Sequence, residues 1–256
     1  MFFRKTAPTG ADPQDVAEGR MPFLAHLGEL RLRIMVSLIA LAIGFIATFS
    51  FSERIITWLA RPIEPVKLVF LEPTEPFWVN MKVALIAGAF LVLPVLLFQI
   101  WAFIAPGLLP HERKFALPFV VLSTLMFFIG ATFALKVIVP FAVKFLVSYK
   151  TQNLVPTLSV NRYVDFILKF TLAFGLVFEL PLALTLGTRL GLVTPEFLSK
   201  NRKYAVLLCF VAAAILTPTP DAFNQLLMAG PLILLYEAGI VAARMFGRRR
   251  KTVVAA

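Results

Sequence analysis

The sequence has few of the side chains that build disulfides and metal centres. Its 256 residues include one cysteine, Cys209, and two histidines, His26 and His111. A single cysteine excludes an intrachain disulfide, and the scarcity of both residue types argues against a metal-ligand cluster. Because Cys209 lies within an apolar run, we expect it to be a small core residue.

Charged residues are also scarce. Asp, Glu, Lys and Arg make up 15% of the chain, whereas 59% is hydrophobic and the mean hydropathy is +0.86. This composition is typical of a polytopic membrane protein. A transmembrane helix needs about 20 apolar residues to cross a hydrocarbon core of roughly 30 Å. The sequence therefore predicts an all-α membrane domain over residues 21–245 with six transmembrane helices, near residues 34–51, 77–100, 115–140, 164–188, 204–217 and 223–243.

Prolines and one short run shape the expected bundle. Proline removes a backbone donor and should kink its helix, which predicts a bent, concave bundle. The prolines inside the spans are Pro94, Pro118, Pro181 and Pro231. The fifth run, residues 204–216, covers about 20 Å at 1.5 Å per residue. We therefore expect a short fifth span, unless that helix begins a turn earlier and Lys203 snorkels. The sixth span is a second candidate for a short one.

The tails and the charge distribution predict the topology. Residues 1–20 lack the apolar stretch of a signal peptide, so the first span is expected to stay in the chain. The net charge is +11, and more Lys and Arg fall on the side that carries both termini, which places the termini in the cytoplasm. Residues 1–20 and the basic residues 246–256 are then cytoplasmic tails. The run RRRK at 248–251 suits an anionic membrane surface, so no nucleic-acid partner is expected.

Acidic side chains fall inside two predicted spans, where an ionised group costs at least about 2.5 kcal/mol. Glu179, near the membrane midplane, is either a neutral carboxyl hydrogen-bonded within the bundle or a polar contact for a ligand or partner helix. Glu237 has Arg244 two turns further along its helix and is expected to be a structural acid. At the outer start of span four, Asp165 and Lys169 are spaced to form an ion pair.

The segment MPFLAHLGELRLR, residues 21–33, precedes the first span. It predicts an amphipathic helix over residues 22–33 with His26, Glu29 and Arg33 on one face. One interpretation is a local ion pair between Glu29 and Arg33, which contributes about 0.3–0.5 kcal/mol.

The other interpretation combines Glu29 with Glu112, which the charge distribution places on the same side of the membrane. Two adjacent guanidinium groups need two separately placed carboxylates, so such a site suits paired arginines. Glu112 also has a simpler explanation. It follows Pro110 in the expected first turn of a helix, where a carboxylate complements the helix dipole.

Two further classes of function are open from the residues alone. A proton-coupled small-solute carrier would use Glu179 as its titrating group, but it gives Glu29 and Glu112 no task. A membrane-embedded enzyme would use Glu179 or Glu237 as acid or base. No His, Cys or Asp cluster lies at the same depth, so we expect no catalysis.

Four segments occur in order over residues 21–245. They are HLGELRLR at 26–33, FQIWAFIAPGLLPHERK at 98–114, FGLVFELP at 174–181 and LTPTPDAFNQ at 216–225. Together they resemble the TatC family, the multispanning subunit of the twin-arginine protein translocase. The resemblance implies a receptor in the bacterial cytoplasmic (inner) membrane. It would bind the paired-arginine signal peptides of folded proteins and export them with the proton-motive force.

The resemblance also implies roles for residues near the cytoplasmic surface. Glu29 and Glu112 match the family's acidic contacts for the arginine pair. His26, Arg33 and Phe103 are expected to support that surface.

A second set of residues is implied to meet partner proteins within the membrane. Glu179 matches the family's intramembrane polar contact, and the docking region includes Leu216 and Asp221. The implied partners are single-span TatA- and TatB-type subunits, further copies of the chain and the lipid bilayer. No cofactor is implied, and the sequence has no Gly-rich phosphate loop.

Overall fold

The described chain is built almost entirely from helices. The computed structural model describes residues 23–63, 68–104, 116–148, 157–217 and 221–246. The helices are α1 (Phe23–Phe49), α2 (Ser52–Ala60), α3 (Glu75–Leu91), α4 (Leu93–Ile104), α5 (Ala116–Phe133), α6 (Val139–Ser148), α7 (Val160–Val177), α8 (Leu180–Arg189), α9 (Pro195–Lys200), α10 (Arg202–Leu216) and α11 (Ala222–Phe246). The remaining elements are a 3-10 turn after α2 (Arg61–Ile63), a π-helical segment between α5 and α6 (Ala134–Ile138), and the strands β1 (Leu68–Val69) and β2 (Leu158–Ser159).

The helices include several membrane-spanning candidates. Within the described residues, four segments are long and apolar enough to cross a membrane: His26–Phe49, Leu117–Phe145, Val160–Arg189 and Ala222–Phe246. The pair α3 and α4 makes a fifth if it is counted as one bent span. The expected short fifth span coincides with α10, whose 15 residues cover about 22 Å. The all-α membrane architecture is thus confirmed, while the count of six spans and the side of the termini stay predictions.

Two of the predicted prolines coincide with breaks in a helix. The axes of α3 and α4 differ by 59°, and Pro94 lies in the first turn of α4. Likewise α7 ends at Val177, and α8 begins with Pro181 in its first turn. Proline cannot donate to the preceding turn but fits the start of a new helix, which explains both positions. Pro231, in contrast, lies inside the unbroken helix α11.

Helix α1 joins the expected amphipathic segment and the first span into one continuous helix. The junction near residues 33 and 34 contains neither Gly nor Pro, so nothing in the local sequence ends the helix there. Only 6% of its most apolar window is buried within the protein. Large apolar side chains such as Leu32 and Ile46 are exposed, as expected for a helix that faces lipid.

The main buried core lies where α7 packs against the helices around it. Phe170 and Phe174 of α7 are fully buried, as are Ala213 of α10 and Met228 of α11. Cys209 belongs to the same cluster and is buried. The core therefore belongs mainly to the later helices, joined by Leu59 of α2 and by Ile63, and α1 lies outside it.

Helices α1 and α3 meet through direct backbone contact. A Cβ atom added to Gly88 would lie 2.6 Å from the carbonyl carbon of Gly44 and from the backbone nitrogen of Phe45. At the same crossing the Thr48 hydroxyl donates to the carbonyl of Ala84 at 2.7 Å. Glycine is required here because the two backbones leave no room for a side chain.

A short parallel strand pair joins the segments that precede α3 and α7, at the end of α1 opposite to Glu29. Strand β1 pairs with β2 in the register Leu68 to Leu158. The buried Glu75 carboxylate supports this pairing, since it accepts hydrogen bonds from the Leu71 N–H and the Ser159 hydroxyl, each at 3.1 Å.

Asp165 forms its ion pair across helices. Lys82 of α3 donates to Asp165 Oδ1 and to Asn161 Oδ1, both at 2.8 Å. The expected pairing of Asp165 with Lys169 is therefore wrong. Packing of α3 on α7 brings the Lys82 ammonium between two acceptors, an arrangement that a partner one turn along α7 does not offer.

Candidate functional site

Glu29 lies on α1 and is engaged by an arginine one turn further along the helix. The Arg33 Nε donates to Glu29 Oε1 at 3.0 Å, and the Nη2 of Arg33 bonds the same oxygen. The exposed fractions of the Glu29 and Arg33 side chains are 17% and 22%. The local ion pair predicted from the i, i+4 spacing is therefore present and largely shielded from solvent.

Two contacts join this part of α1 to α4. The Arg33 Nη1 donates to Gln99 Oε1 at 3.2 Å. The His26 ring stacks on Phe103 with a centroid separation of 4.3 Å and an interplanar angle of 11°. The structure thus brings together His26, Glu29, Arg33 and Phe103, four of the predicted residues. Sequence reasoning missed Gln99. A signal was present, because Gln99 is a lone amide in an apolar run, four residues before Phe103, and such an amide is a candidate polar contact.

The second oxygen of the Glu29 carboxylate is left without a hydrogen-bond partner among the described residues. Glu29 Oε2 is buried and accepts no hydrogen bond within the described residues. His26 Nδ1 lies 3.8 Å from this oxygen, beyond hydrogen-bond range. A carboxylate can accept several hydrogen bonds. The arrangement therefore offers an acceptor site bordered by a positive guanidinium and an aromatic pair.

Glu112 and the segment from Pro106 to Lys114 lie outside the described residues, as do the tails and residues 218–220 of the TPTPD turn. The described chain leaves α4 at Ile104, directly after Phe103, and resumes at Ala116. The segment that carries Glu112 therefore begins next to the Glu29 site. The separation of the two carboxylates stays a prediction.

Glu179 occupies the break between α7 and α8. The Ser123 hydroxyl of α5 donates to Glu179 Oε2 at 2.5 Å, and Ser123 is only 3% exposed. The other oxygen, Oε1, is buried with no hydrogen bond in the described residues. Glu179 therefore has one partner inside the bundle and one acceptor left over. Ser123 was missed from sequence, although a hydroxyl in an apolar span is itself a candidate polar contact.

Leu216 and Asp221 flank the TPTPD turn. Leu216 is the last residue of α10 and packs on the main core. Asp221 precedes α11, and its Oδ1 accepts from the Asn224 N–H at 2.7 Å while its Oδ2 accepts from the Asn224 side chain at 2.9 Å. This is the geometry of a helix N-cap. Asn224 is fully buried and was not anticipated. The signal for it is Asp221 ahead of an apolar run, since a helix N-cap bonds a residue two or three positions further on.

Glu237 forms an ion pair with Arg202 of α10, with a distance of 2.8 Å from Arg202 Nη2 to Glu237 Oε2. The expected partner was Arg244, and this pairing is wrong. Arg244 donates instead to the Ser199 hydroxyl at 2.6 Å. Packing of α10 and α9 against α11 gives Glu237 and Arg244 closer partners than they could be to each other, two turns apart on one helix.

Taken together, the fold and the site define a polytopic α-helical membrane protein with one shielded acid near the start of its first helix and another inside the bundle. In the described ranges no group of three His, Cys, Asp or Glu residues is placed to hold a metal ion.

The similarities to known proteins extend over most of the chain. A family model described as Sec-independent protein translocase protein (TatC) matches residues 25–231. The TatC protein of Desulforapulum autotrophicum is 42% identical over 238 residues, covering 91% of this chain and 88% of its own length. That of Aquifex aeolicus is 40% identical, covering 91% and 99%. TatCy of Bacillus subtilis is 37% identical, covering 93% and 94%.

A solved structure agrees with these sequence matches. The crystal structure of a twin-arginine translocase receptor TatC superposes with a TM-score of 0.78 at 41% identity, covering 87% of this chain and all of that one. The chain belongs to the TatC family of Sec-independent protein translocase proteins. The resemblance found in the four sequence segments is thereby confirmed, and a small-solute carrier is not favoured.

Proposed function

We propose that this chain is the receptor and core subunit of a twin-arginine translocase, and that it binds the paired arginines of signal peptides through Glu29 and Glu112. The observation that carries the proposal is the state of the Glu29 carboxylate. One oxygen is held by Arg33, and the other is buried and without a hydrogen-bond partner. A buried acceptor of this kind gains most from a charged donor.

The surroundings of Glu29 favour a guanidinium over an ammonium group. The His26 ring stacks on Phe103, and its Nδ1 lies 3.8 Å from Glu29 Oε2, so an aromatic pair lies beside the carboxylate. Arginine is planar, stacks on aromatic faces and donates two parallel hydrogen bonds, whereas lysine is a strongly hydrated point charge. Arg33 holds the carboxylate in one orientation and is itself held by Gln99, so little side-chain entropy is lost when a ligand binds.

Glu112 is the proposed contact for the second arginine of the pair. Its segment follows the end of α4 at Ile104, the residue after Phe103. We propose that this segment places Glu112 on the same surface as Glu29, where two carboxylates would discriminate paired arginines from a single one.

Glu179 is the proposed contact for partner helices. Its unpartnered Oε1 is an acceptor inside a span, where a hydrogen bond across helices contributes about 1 kcal/mol. Leu216 and Asp221 flank the neighbouring docking region, and the partners are single-span TatA- and TatB-type subunits and further copies of this chain.

The receptor role requires a defined topology. We infer six spans with α10 as the short fifth, both termini in the cytoplasm, and residence in the bacterial cytoplasmic membrane. Export is driven by the proton-motive force and the chain is not an enzyme. The unequal distribution of Lys and Arg supports this orientation.

The arginine site is tested by peptide binding to the purified chain in nanodiscs. Glu29→Gln should weaken binding of a paired-arginine peptide about 5- to 150-fold, the range of 1–3 kcal/mol for a charged hydrogen bond. Glu196→Gln removes the same charge from an exposed position on α9 and is the matched control. Equal affinities for the two variants would refute the assignment of Glu29.

The intramembrane contact is tested by co-purification of the single-span subunits. Glu179→Gln keeps an acceptor and should preserve the complex, whereas Glu179→Leu removes it and should impair assembly. If both variants assemble alike, the polar-contact role is wrong.

A further inference from the structure

A narrow apolar slot lies between α3 and α7, at the end of the bundle that carries α2. Its volume is about 230 Å³, and its walls include Val83, Ile86 and Phe90 from α3 and Leu168 and Thr171 from α7. The three α3 residues recur on one helical face. The slot is therefore a partly open apolar recess along one face of α3, within segments long enough to span the membrane.

A smaller pocket that carries positive charge adjoins this slot. The pocket has a volume of about 130 Å³ and is lined by two cations, Arg61 and Lys136. It shares Trp58, Leu59 and Ile167 with the slot, so the two cavities adjoin. Trp58 is 48% exposed, and tryptophan favours the depth of lipid headgroups.

The two cations have no acidic partner in the described part of the chain. Among the side chains the structure describes, neither Arg61 nor Lys136 forms an ion pair. Lys136 is presented by the π-helical segment Ala134–Ile138, a rare local geometry that often marks functional positions. Arg61 follows α2, at the end of the bundle opposite to Glu29. The predicted topology places this end outside, and an anionic lipid headgroup there would stabilise the two exposed cations.

The charge beside the slot decides between possible occupants. An apolar partner helix would leave Arg61 and Lys136 without a counter-charge, whereas an anionic lipid places its phosphate beside the two cations and an acyl chain in the apolar slot.

We propose that the slot and its cationic pocket bind one anionic phospholipid of the outer leaflet, with the phosphate between Arg61 and Lys136 and an acyl chain along α3 and α7. The site is independent of the arginine receptor proposed above, since it involves different helices at the other end of the bundle. It would attach a lipid where α2 meets the core.

Trp58 provides a direct readout of this site. The chain has three tryptophans, so a reporter variant with Trp78→Phe and Trp101→Phe leaves only Trp58. Reconstituted in phosphatidylcholine, the reporter is titrated with phosphatidylglycerol carrying brominated acyl chains, which quench a tryptophan in contact. Each cation near an anionic lipid contributes about fivefold. We therefore expect quenching by brominated phosphatidylglycerol at roughly twentyfold lower mole fraction than by brominated phosphatidylcholine.

Two variants of the reporter separate the headgroup from the acyl chain. Arg61→Gln with Lys136→Gln should abolish the preference for phosphatidylglycerol, while Arg54→Gln with Lys144→Gln, exposed cations near the same end, should keep it. Ala87→Phe, which fills the slot, should abolish preferential quenching, while the outward-facing Leu85→Phe should not. The proposal is wrong if the reporter shows no preference, if the Arg54 and Lys144 control loses it equally, or if Ala87→Phe retains it.

Discussion

The contact between Gly44 and Gly88 gives the sharpest prediction about stability. Alanine at Gly88 would place its Cβ 2.6 Å from the Gly44 carbonyl carbon and the Phe45 nitrogen. Carbon atoms in contact prefer separations of about 3.5–4.0 Å. Because the clashing atoms belong to the backbone, no side chain can rotate away, and α1 must move from α3 by about 1 Å.

The expected magnitude follows from three contributions. Overpacking of this kind costs about 1–3 kcal/mol. Separation of the helices also breaks the bond from Thr48 to the Ala84 carbonyl, for about 1 kcal/mol. Alanine recovers about 1 kcal/mol through its better helix propensity. We therefore expect Gly88→Ala to destabilise the protein by about 1–3 kcal/mol.

The measurement is thermal unfolding of the purified chain in one detergent, followed by tryptophan fluorescence. The matched control is Gly28→Ala, because Gly28 is an exposed helical glycine of α1 with nothing near its added Cβ, and it should gain about 0.5–1 kcal/mol. The two midpoints should differ by roughly 5–10 °C. Equal midpoints would refute the claim that the backbones are in contact.

Two further predictions use the same assay. Lys82→Met leaves the Asp165 carboxylate without its cation and should destabilise the protein by about 1 kcal/mol, a value reduced because both side chains are one-third or more exposed. Arg202→Met, at the more exposed pair with Glu237, should change stability by under about 0.5 kcal/mol. A larger loss for Arg202→Met than for Lys82→Met would contradict this ranking. Tyr163→Phe removes the buried hydrogen bond to the Leu59 carbonyl and should destabilise the protein by about 1 kcal/mol. Tyr204→Phe, on an exposed ring, should be neutral. A neutral Tyr163→Phe would show that this hydrogen bond does not stabilise the fold.

Much of the fold could be predicted because membrane helices follow local rules. Apolar runs of the right length located the helices, and Pro94 and Pro181 marked breaks, since both effects depend on neighbouring residues in sequence. The ion pairs were predicted less well. Asp165 and Glu237 each pair with a cation from another helix, and the spacing of charges along one helix contains no information about such partners.

The candidate site shows the same division. The pair of Glu29 with Arg33 follows from i, i+4 spacing, and the resemblance to the TatC family pointed to Phe103. Gln99 was missed because its role depends on how α4 packs against α1. Ser123 was missed because its role depends on how α5 packs against the break between α7 and α8. The open oxygens of Glu29 and Glu179 are likewise tertiary features, since burial and the lack of a donor are set by the whole bundle.

The position of Glu29 depends on the bent α3–α4 pair more than on the hydrophobic core. Helix α1 is only 6% buried over its most apolar window, so general burial constrains it weakly. Two sets of polar and close contacts hold it instead, with α3 at Gly88 and with α4 at Gln99 and Phe103. These two partners are joined at a 59° bend. Because α1 contacts both arms, straightening the bend is expected to break one of the two contact sets while leaving the core around Phe170 and Phe174 intact. Such a change would shift Glu29 relative to α3 or to the end of α4 at Ile104.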